Sequence, residues 1–443
     1  MPSRFTRRSA LTAGGAIFLG SVLPQHVAGS STDHVVWRQA FDYGGTSPTV
    51  VDDTVYISGG DGGVVLHALD RITGDERWRF DPEDVTSAES TPTVVADTVY
   101  VGASKPAASP VYAIDAASGE ERWHYETESQ MISASPTRAN DLVYFGTQQR
   151  EIVAVSAEDG TLQWSFETGG MSRSCAIVVG DTLYIGGGDE FLYAIDAETG
   201  DEVWSFETGD DIIDLSPTYA DGIVYTGCKD HHLYAIDAEA GEEEWRFDTG
   251  GPVYTTPTVA DHMVLVASRE GPLYALNATS GEPVWEGDPF EIPPLSSPTV
   301  VDGLVFTFSG RSESTLYAFD IQTGDVELEL AFDGFPATSS PIVVDGTLYV
   351  GMMERDGPWE EDGALYAVDV PVDGSSEDSR VLLGTDGHHD TWTGDPDAAK
   401  QAVTTPADAG LGPGFGALAG AAGIAGAGYL WTRRHRSSDG SSH

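Results

Sequence analysis

Glu89, Arg173, Asp214 and Tyr254 are the side chains best suited by type and spacing to hold a ligand. Each stands at or beside the position two residues ahead of a recurring Ser/Thr-Pro phrase. The full set is Gly45, Glu89, Ser133, Ser172, Asp214, Tyr254, Leu295 and Thr338, with Arg173 next to Ser172. If the phrases form a ring, these positions ring one opening, where carboxylates, a guanidinium and a phenol could bind a cation or a polar molecule. Nothing in their spacing orders a metal cage, and a solvated funnel is the competing reading. His231-His232 and His388-His389-Asp390 contain metal-ligand types, but adjacent residues on a strand point to opposite faces, so they read as solvated loop histidines and no metal is expected. Cys175 and Cys228 are the two cysteines. A bridge between them needs Cα atoms within about 7 Å, which the sequence leaves open. No Ser-His-Asp triad, phosphate loop or zinc-protease motif can be read, so no catalytic residue is assigned.

The elements that must position these residues repeat. Trp37, Trp78, Trp123, Trp164, Trp204, Trp245 and Trp285 follow one another at intervals of 40 to 45 residues. Between them run Ser47-Pro48-Thr49, Thr91-Pro92-Thr93, Ser135-Pro136-Thr137, Ser216-Pro217-Thr218, Thr256-Pro257-Thr258, Ser297-Pro298-Thr299 and Ser340-Pro341, with Ser174-Cys175 as a degenerate copy. Eight copies with four short strand-like runs in each predict an all-β, eight-bladed β-propeller of four-stranded antiparallel blades. In the copy from Ser216 to Thr249 the runs are Thr218 to Ala220, Ile223 to Thr226, Leu233 to Ile236 and Glu244 to Phe247. Asp221-Gly222 marks the first hairpin, and Asp237 with Gly241 the last turn. Blade seven has Leu328 in place of Trp, and blade three has Ser156 in place of the turn Asp. The first Trp precedes the first Ser-Pro phrase, and no Trp strand follows Leu365 to Asp369. The N-terminal strand is therefore expected to complete the last blade, which hides unpaired edges. A rival closure would use Arg380 to Gly384.

The phrase Tyr-Ala-Ile-Asp-x-x-Thr-Gly, seen with variations at Tyr112 to Gly119, Tyr193 to Gly200, Tyr234 to Gly241, Tyr274 to Gly281 and Tyr317 to Gly324, resembles the pyrroloquinoline quinone (PQQ) repeat over residues 35 to about 370. The resemblance implies that each fourth-strand Trp packs against the neighbouring blade. It also raises an enzyme reading, a quinoprotein alcohol dehydrogenase with PQQ and Ca²⁺ in the propeller mouth. That family carries long funnel insertions and a disulfide between adjacent cysteines, and neither pattern occurs in this sequence.

Composition narrows the partners. Asp plus Glu number 71 against 22 Lys plus Arg, giving a formal net charge of −49; lysine occurs three times, at Lys105, Lys229 and Lys400. Such a field repels nucleic acid, and the surface resembles those of extreme halophiles. At 40% hydrophobic residues in regular alternation, the chain can still build a large core.

Both ends read as addresses. Arg7-Arg8 ahead of an apolar run to Leu23 resembles a twin-arginine export signal, assigned to 1–29. The propeller is assigned to 30–371 and a Gly-, Ser- and Asp-rich stalk to 372–411. An uncharged segment at 412–432 is long enough to cross a membrane at about 1.5 Å per residue. A basic tail at 433–443 places that end in the cytoplasm and the bulk outside. Pro413-Gly414-Phe415, apolar helix and basic cluster, in that order, resemble the PGF-CTERM sorting signal of archaeal surface proteins, which implies removal of the helix by an archaeosortase and replacement by a lipid. The sequence thus reads as a membrane-anchored, non-enzymatic binding or assembly scaffold on the outer cell surface, engaging protein partners through its blade loops and expected to need no cofactor. The blade-eight excursion, Met352 to Asp362, carries apolar residues that suggest a contact surface, with an ordinary capped loop as the competing reading. The alternative is the extracytoplasmic PQQ-dependent dehydrogenase.

Overall fold

The computed structural model describes residues 27–376 except 31–33, 42–45, 60–64, 107, 129–131, 133, 213–214, 288–289, 291–293, 295, 310–313, 333, 337–338 and 356–360. Arg7 and Arg8, Asp214, Arg380 to Gly384, His388 to Asp390, most of the stalk, Pro413 to Phe415, the apolar segment and the basic tail lie outside the described residues.

Eight sheets are each ordered by sequence from the axis outward. Blades one to seven span 49–80, 93–127, 137–167, 177–207, 218–248, 258–287 and 299–332. The first strands neighbour one another around the full circle, including Ile342–Val344 against Thr49–Val51. Blade five shows the build: Thr218–Ala220, Ile223–Gly227, His232–Asp237 and Glu243–Asp248, antiparallel throughout. The second and third strands are almost wholly buried because both faces pack on neighbouring blades. The fourth strand alternates exposed with half-buried residues, and a bulge between Ala235 and Ile236 in its pairing register twists this edge.

Blade eight comprises Ile342–Val344, Thr347–Arg355 and Glu361–Asp369, closed by the N-terminal strand Val35–Phe41, which pairs antiparallel with Glu361–Asp369. The ring thus closes through the N-terminal strand, as its phasing predicts. Val27–Ser30 adds a parallel fifth strand to the outer edge of blade seven, at Leu328 to Ala331. At the other end the chain stays on the ring as far as Ser376, whose N–H donates to Val343 O at 2.8 Å.

The reading of Met352 and Met353 as exposed apolar residues is corrected, while 356–360, with Pro358 and Trp359, lie outside the described residues. The second and third strands of blade eight extend into a nine-residue-per-side hairpin that pairs through to Arg355 and Glu361. Gly334–Phe335 pairs beside it, and Met352 and Met353 are buried. The length serves a longer sheet, and these two methionines pack inside it.

Candidate functional site

In each blade the loops joining second to third strands, and fourth strands to the next blade, emerge on one face. The first hairpins and the third-to-fourth turns emerge on the other. The Ser/Thr-Pro phrases hold the first face together. Thr218 Oγ1 donates to Pro257 O at 2.6 Å, Thr258 Oγ1 to Pro298 O at 2.7 Å and Thr299 Oγ1 to Pro341 O at 2.6 Å. In parallel, Thr256 N–H donates to Ser297 Oγ at 3.0 Å, Ser297 N–H to Ser340 Oγ at 3.1 Å, and Ser340 N–H to Ser47 Oγ at 2.9 Å across the closing seam. Each phrase therefore bonds to the phrase of the next blade, which is why its hydroxyls are buried.

This belt corrects the register of blade four. Thr137 Oγ1 donates to Ala176 O at 2.6 Å, and Cys175 N–H to Ser216 Oγ at 3.3 Å. The degenerate phrase is thus Cys175-Ala176-Ile177, one residue later than Ser174-Cys175. Ser174 falls in line with Ser90, whose hydroxyl accepts from Gly102 N at 2.8 Å; Ser174 Oγ accepts from Gly186 N at 3.2 Å. The mouth position of this blade is Arg173, and Ser172 is buried behind it. Both cysteines are buried free thiols, and burial pushes the Cys228 thiol up to about 12.

Of the mouth positions, Glu89 is exposed, and Arg173 and Tyr254 are half-buried. Gly45, Ser133, Asp214, Leu295 and Thr338 are outside the described residues. Tyr254 is positioned by backbone bonds on both sides: Val253 N–H donates to Cys228 O at 3.1 Å, and Arg269 N–H donates to Pro252 O at 2.9 Å. These bonds set its loop between the second-to-third loops of blades five and six. The ring of Tyr254 then meets Lys229 Nζ at 5.7 Å and Arg269 Cζ at 5.2 Å from its centroid. Lys229 Nζ also pairs with Asp211 Oδ1 at 2.7 Å. The same stitching recurs at blade four, where Ser172 N–H donates to Thr147 O at 3.1 Å and Gly188 N–H to Met171 O at 2.7 Å. Lys229 and Arg269 were missed from sequence; the signal available was that two of the three lysines, Lys105 and Lys229, fall in loops of this one face.

His231 is exposed, and His232 Nδ1 lies 3.1 Å from Asp230 O. Among the described residues no group of three or more His, Cys, Asp or Glu converges as a metal site. The two thiols belong to different blades, and neither forms the adjacent-cysteine disulfide that the quinoprotein resemblance implies.

A closed ring of eight PQQ-like blades defines the class. The family model described as outer membrane protein assembly factor BamB matches residues 3–109, 63–211, 188–350 and 269–409, and the chain belongs to this family. A second match, to the PGF-CTERM motif at 412–434, implies an exported, C-terminally anchored archaeal surface protein. BamB from Moraxella catarrhalis has a similar structure, with TM-score 0.61 and 19% identity, covering 75% of this chain and 96% of that one. Quinohemoprotein alcohol dehydrogenase from Comamonas testosteroni is similar at TM-score 0.58 and 16% identity, covering 76% of each chain. The computationally designed protein Ika8 is similar at TM-score 0.64 and 15% identity, covering 76% of this chain and 99% of that one. At these identities the likeness is one of fold. No curated protein matches the sequence.

Proposed function

We propose that the protein is a non-enzymatic scaffold that binds other proteins at the archaeal cell surface through the mouth face of its propeller. The observation that carries this reading is the stitching of that face. Its loops are bonded blade to blade by their own backbone groups, as at Val253–Cys228 and Arg269–Pro252, so the outward side chains stand on a rigid frame. A preorganised surface loses less conformational freedom on binding. The family's description as an assembly factor supports the same reading.

Arg7-Arg8 directs export by the twin-arginine route, and Pro413-Gly414-Phe415 marks processing to a lipid-anchored form. The formal charge of −49 suits a surface in molar salt, where the Debye length is about 3 Å and self-repulsion is screened. The competing dehydrogenase reading is tested by titrating the full chain with PQQ and Ca²⁺ in molar salt, then measuring dye-linked alcohol oxidation. The scaffold reading expects neither saturable quinone binding nor turnover; observing both would overturn it.

A further inference from the structure

We infer that the mouth between blades five and six receives carboxylate groups of an acidic protein segment, and that Lys229, Tyr254 and Arg269 form the receptor. This inference rests on the scaffold reading and specifies the chemistry of its partner.

Many of the described cations pair with carboxylates, at the mouth face as well, where Lys105 pairs with Glu126 at 3.5 Å and Lys229 with Asp211 at 2.7 Å. Away from the mouth they are neutralised by carboxylates: Arg71 pairs with Asp345 at 2.8 Å, Arg77 with Asp70 at 2.7 Å, Arg122 with Asp97 and Asp115 at 2.8 and 2.7 Å, and Arg138 with Asp141 at 2.8 Å. At the mouth, Arg269 is exposed and is held by the Tyr254 ring, with no carboxylate partner among the described residues. A ring attracts a cation through its quadrupole without cancelling the charge. The guanidinium is therefore oriented while its donors stay available for a bidentate carboxylate. Lys229 stands against the same ring and pairs with Asp211 at 2.7 Å.

Asp211 offsets the charge of Lys229, and a carboxylate brought by a partner would offset that of Arg269. The half-buried Tyr254 adds its hydroxyl as a donor. The blade-four register puts Arg173 at the mouth position equivalent to Tyr254, so Arg173, Lys229 and Arg269 fall at blades four, five and six. Long polyanions would meet the surrounding acidic surface and be repelled. A short acidic segment reaches the receptor, because screening in salt removes long-range repulsion before it removes contact pairs.

The test is binding of a fluorescent oligo-glutamate peptide to the full chain, with oligo-glutamine as the uncharged control and citrate and a uronate polymer as competing anions. Arg269→Gln and Lys229→Gln are each expected to weaken peptide binding about tenfold, the loss of one charge-assisted contact. Tyr254→Leu, which removes the positioning ring, is expected to weaken it as well. Arg79→Gln, on the exposed outer strand of blade one, is the control and leaves binding unchanged. Equal affinity of wild type and Arg269→Gln, equal binding of oligo-glutamine, or binding of citrate or the uronate polymer in place of the peptide would overturn the inference. If the peptide does not bind while cross-linking from the mouth still captures a partner, carboxylate recognition falls and the scaffold reading stands.

Discussion

At seven junctions between blades a tryptophan indole donates to one backbone carbonyl in the third-to-fourth turn of the next blade. Examples are Trp164 to Ala197 O and Trp204 to Ala238 O, both at 3.0 Å. In five of them the second-strand tyrosine donates to the same oxygen, as Tyr184 does to Ala238 O at 3.0 Å and Tyr349 to Arg71 O at 3.2 Å. The turn glycine lies under the indole. Gly241 has φ +68°, and a Cβ there would stand 2.7 Å from Trp204 Cδ2. The period of Trp and Gly was legible in the sequence, and the repeat's resemblance implied that each Trp packs on the neighbouring blade; the carbonyl and glycine it meets there were not legible, because partners some 34 residues apart share no local pattern. Trp164→Ala should cost about 3–5 kcal/mol by the lost packing and leave a carbonyl short of a donor, read as a lowered midpoint in denaturant. Gly241→Ala should destabilise as well, through strain at positive φ and the clash. Burial pushes the Tyr184 and Tyr349 phenols up to about 12. Unfolded tyrosine ionises near pH 10, so the unfolded state releases protons first. Stability should therefore fall as pH rises from about 10 toward 12, seen as a declining melting temperature with tyrosinate absorbance appearing at unfolding. The buried thiols Cys175 and Cys228 should resist Ellman's reagent in the folded chain and react once it is denatured; a mass shift on reduction would show a bridge instead.

Blade seven departs from the repeat for a reason found one element away. Blade eight takes its fourth strand from the N-terminus, so it has no third-to-fourth turn to offer a glycine and a carbonyl to a tryptophan. Leu328 fills the position, 1% exposed, packed among Leu330, Phe332, Val350 and Val368. The segment after Asp369 secures this junction: Asp373 and Gly374 N–H donate to Asp302 Oδ2 at 3.0 and 2.8 Å, and Ser376 bonds to Val343. Restoring the repeat by Leu328→Trp is thus expected to destabilise by about 1–3 kcal/mol through overpacking, whereas a turnless junction that tolerated it would contradict this account. Strand existence and the closing strand were readable from alternation and phasing. The one-residue register of blade four was not, because Cys175 stands where the other blades carry Ser or Thr, and only the bonds to Ser216 and from Thr137 reveal the alignment.

The whole ring separates what it shows to each side. One face presents turns whose aspartates are tied to arginines and backbone donors, and the other presents stitched loops with ring-held cations at its mouth. Phrase spacing pointed to Tyr254 at that mouth and put Ser172 where the belt places Arg173, and the residues flanking Tyr254 come from loops of two blades that spacing alone does not join. In a chain of net charge −49, the proposed receptor would offer a protein partner positive charge at the mouth face. The direct measurement is site-specific photo-cross-linking in cells, with the reactive side chain placed at Glu89 on the mouth face or at Ile72, 64% exposed, on the opposite face. The account predicts one and the same partner captured from Glu89, lost in the Lys229→Gln, Arg269→Gln double variant and absent from Ile72; capture from Ile72 alone, or capture from Glu89 that the double variant leaves untouched, would contradict it.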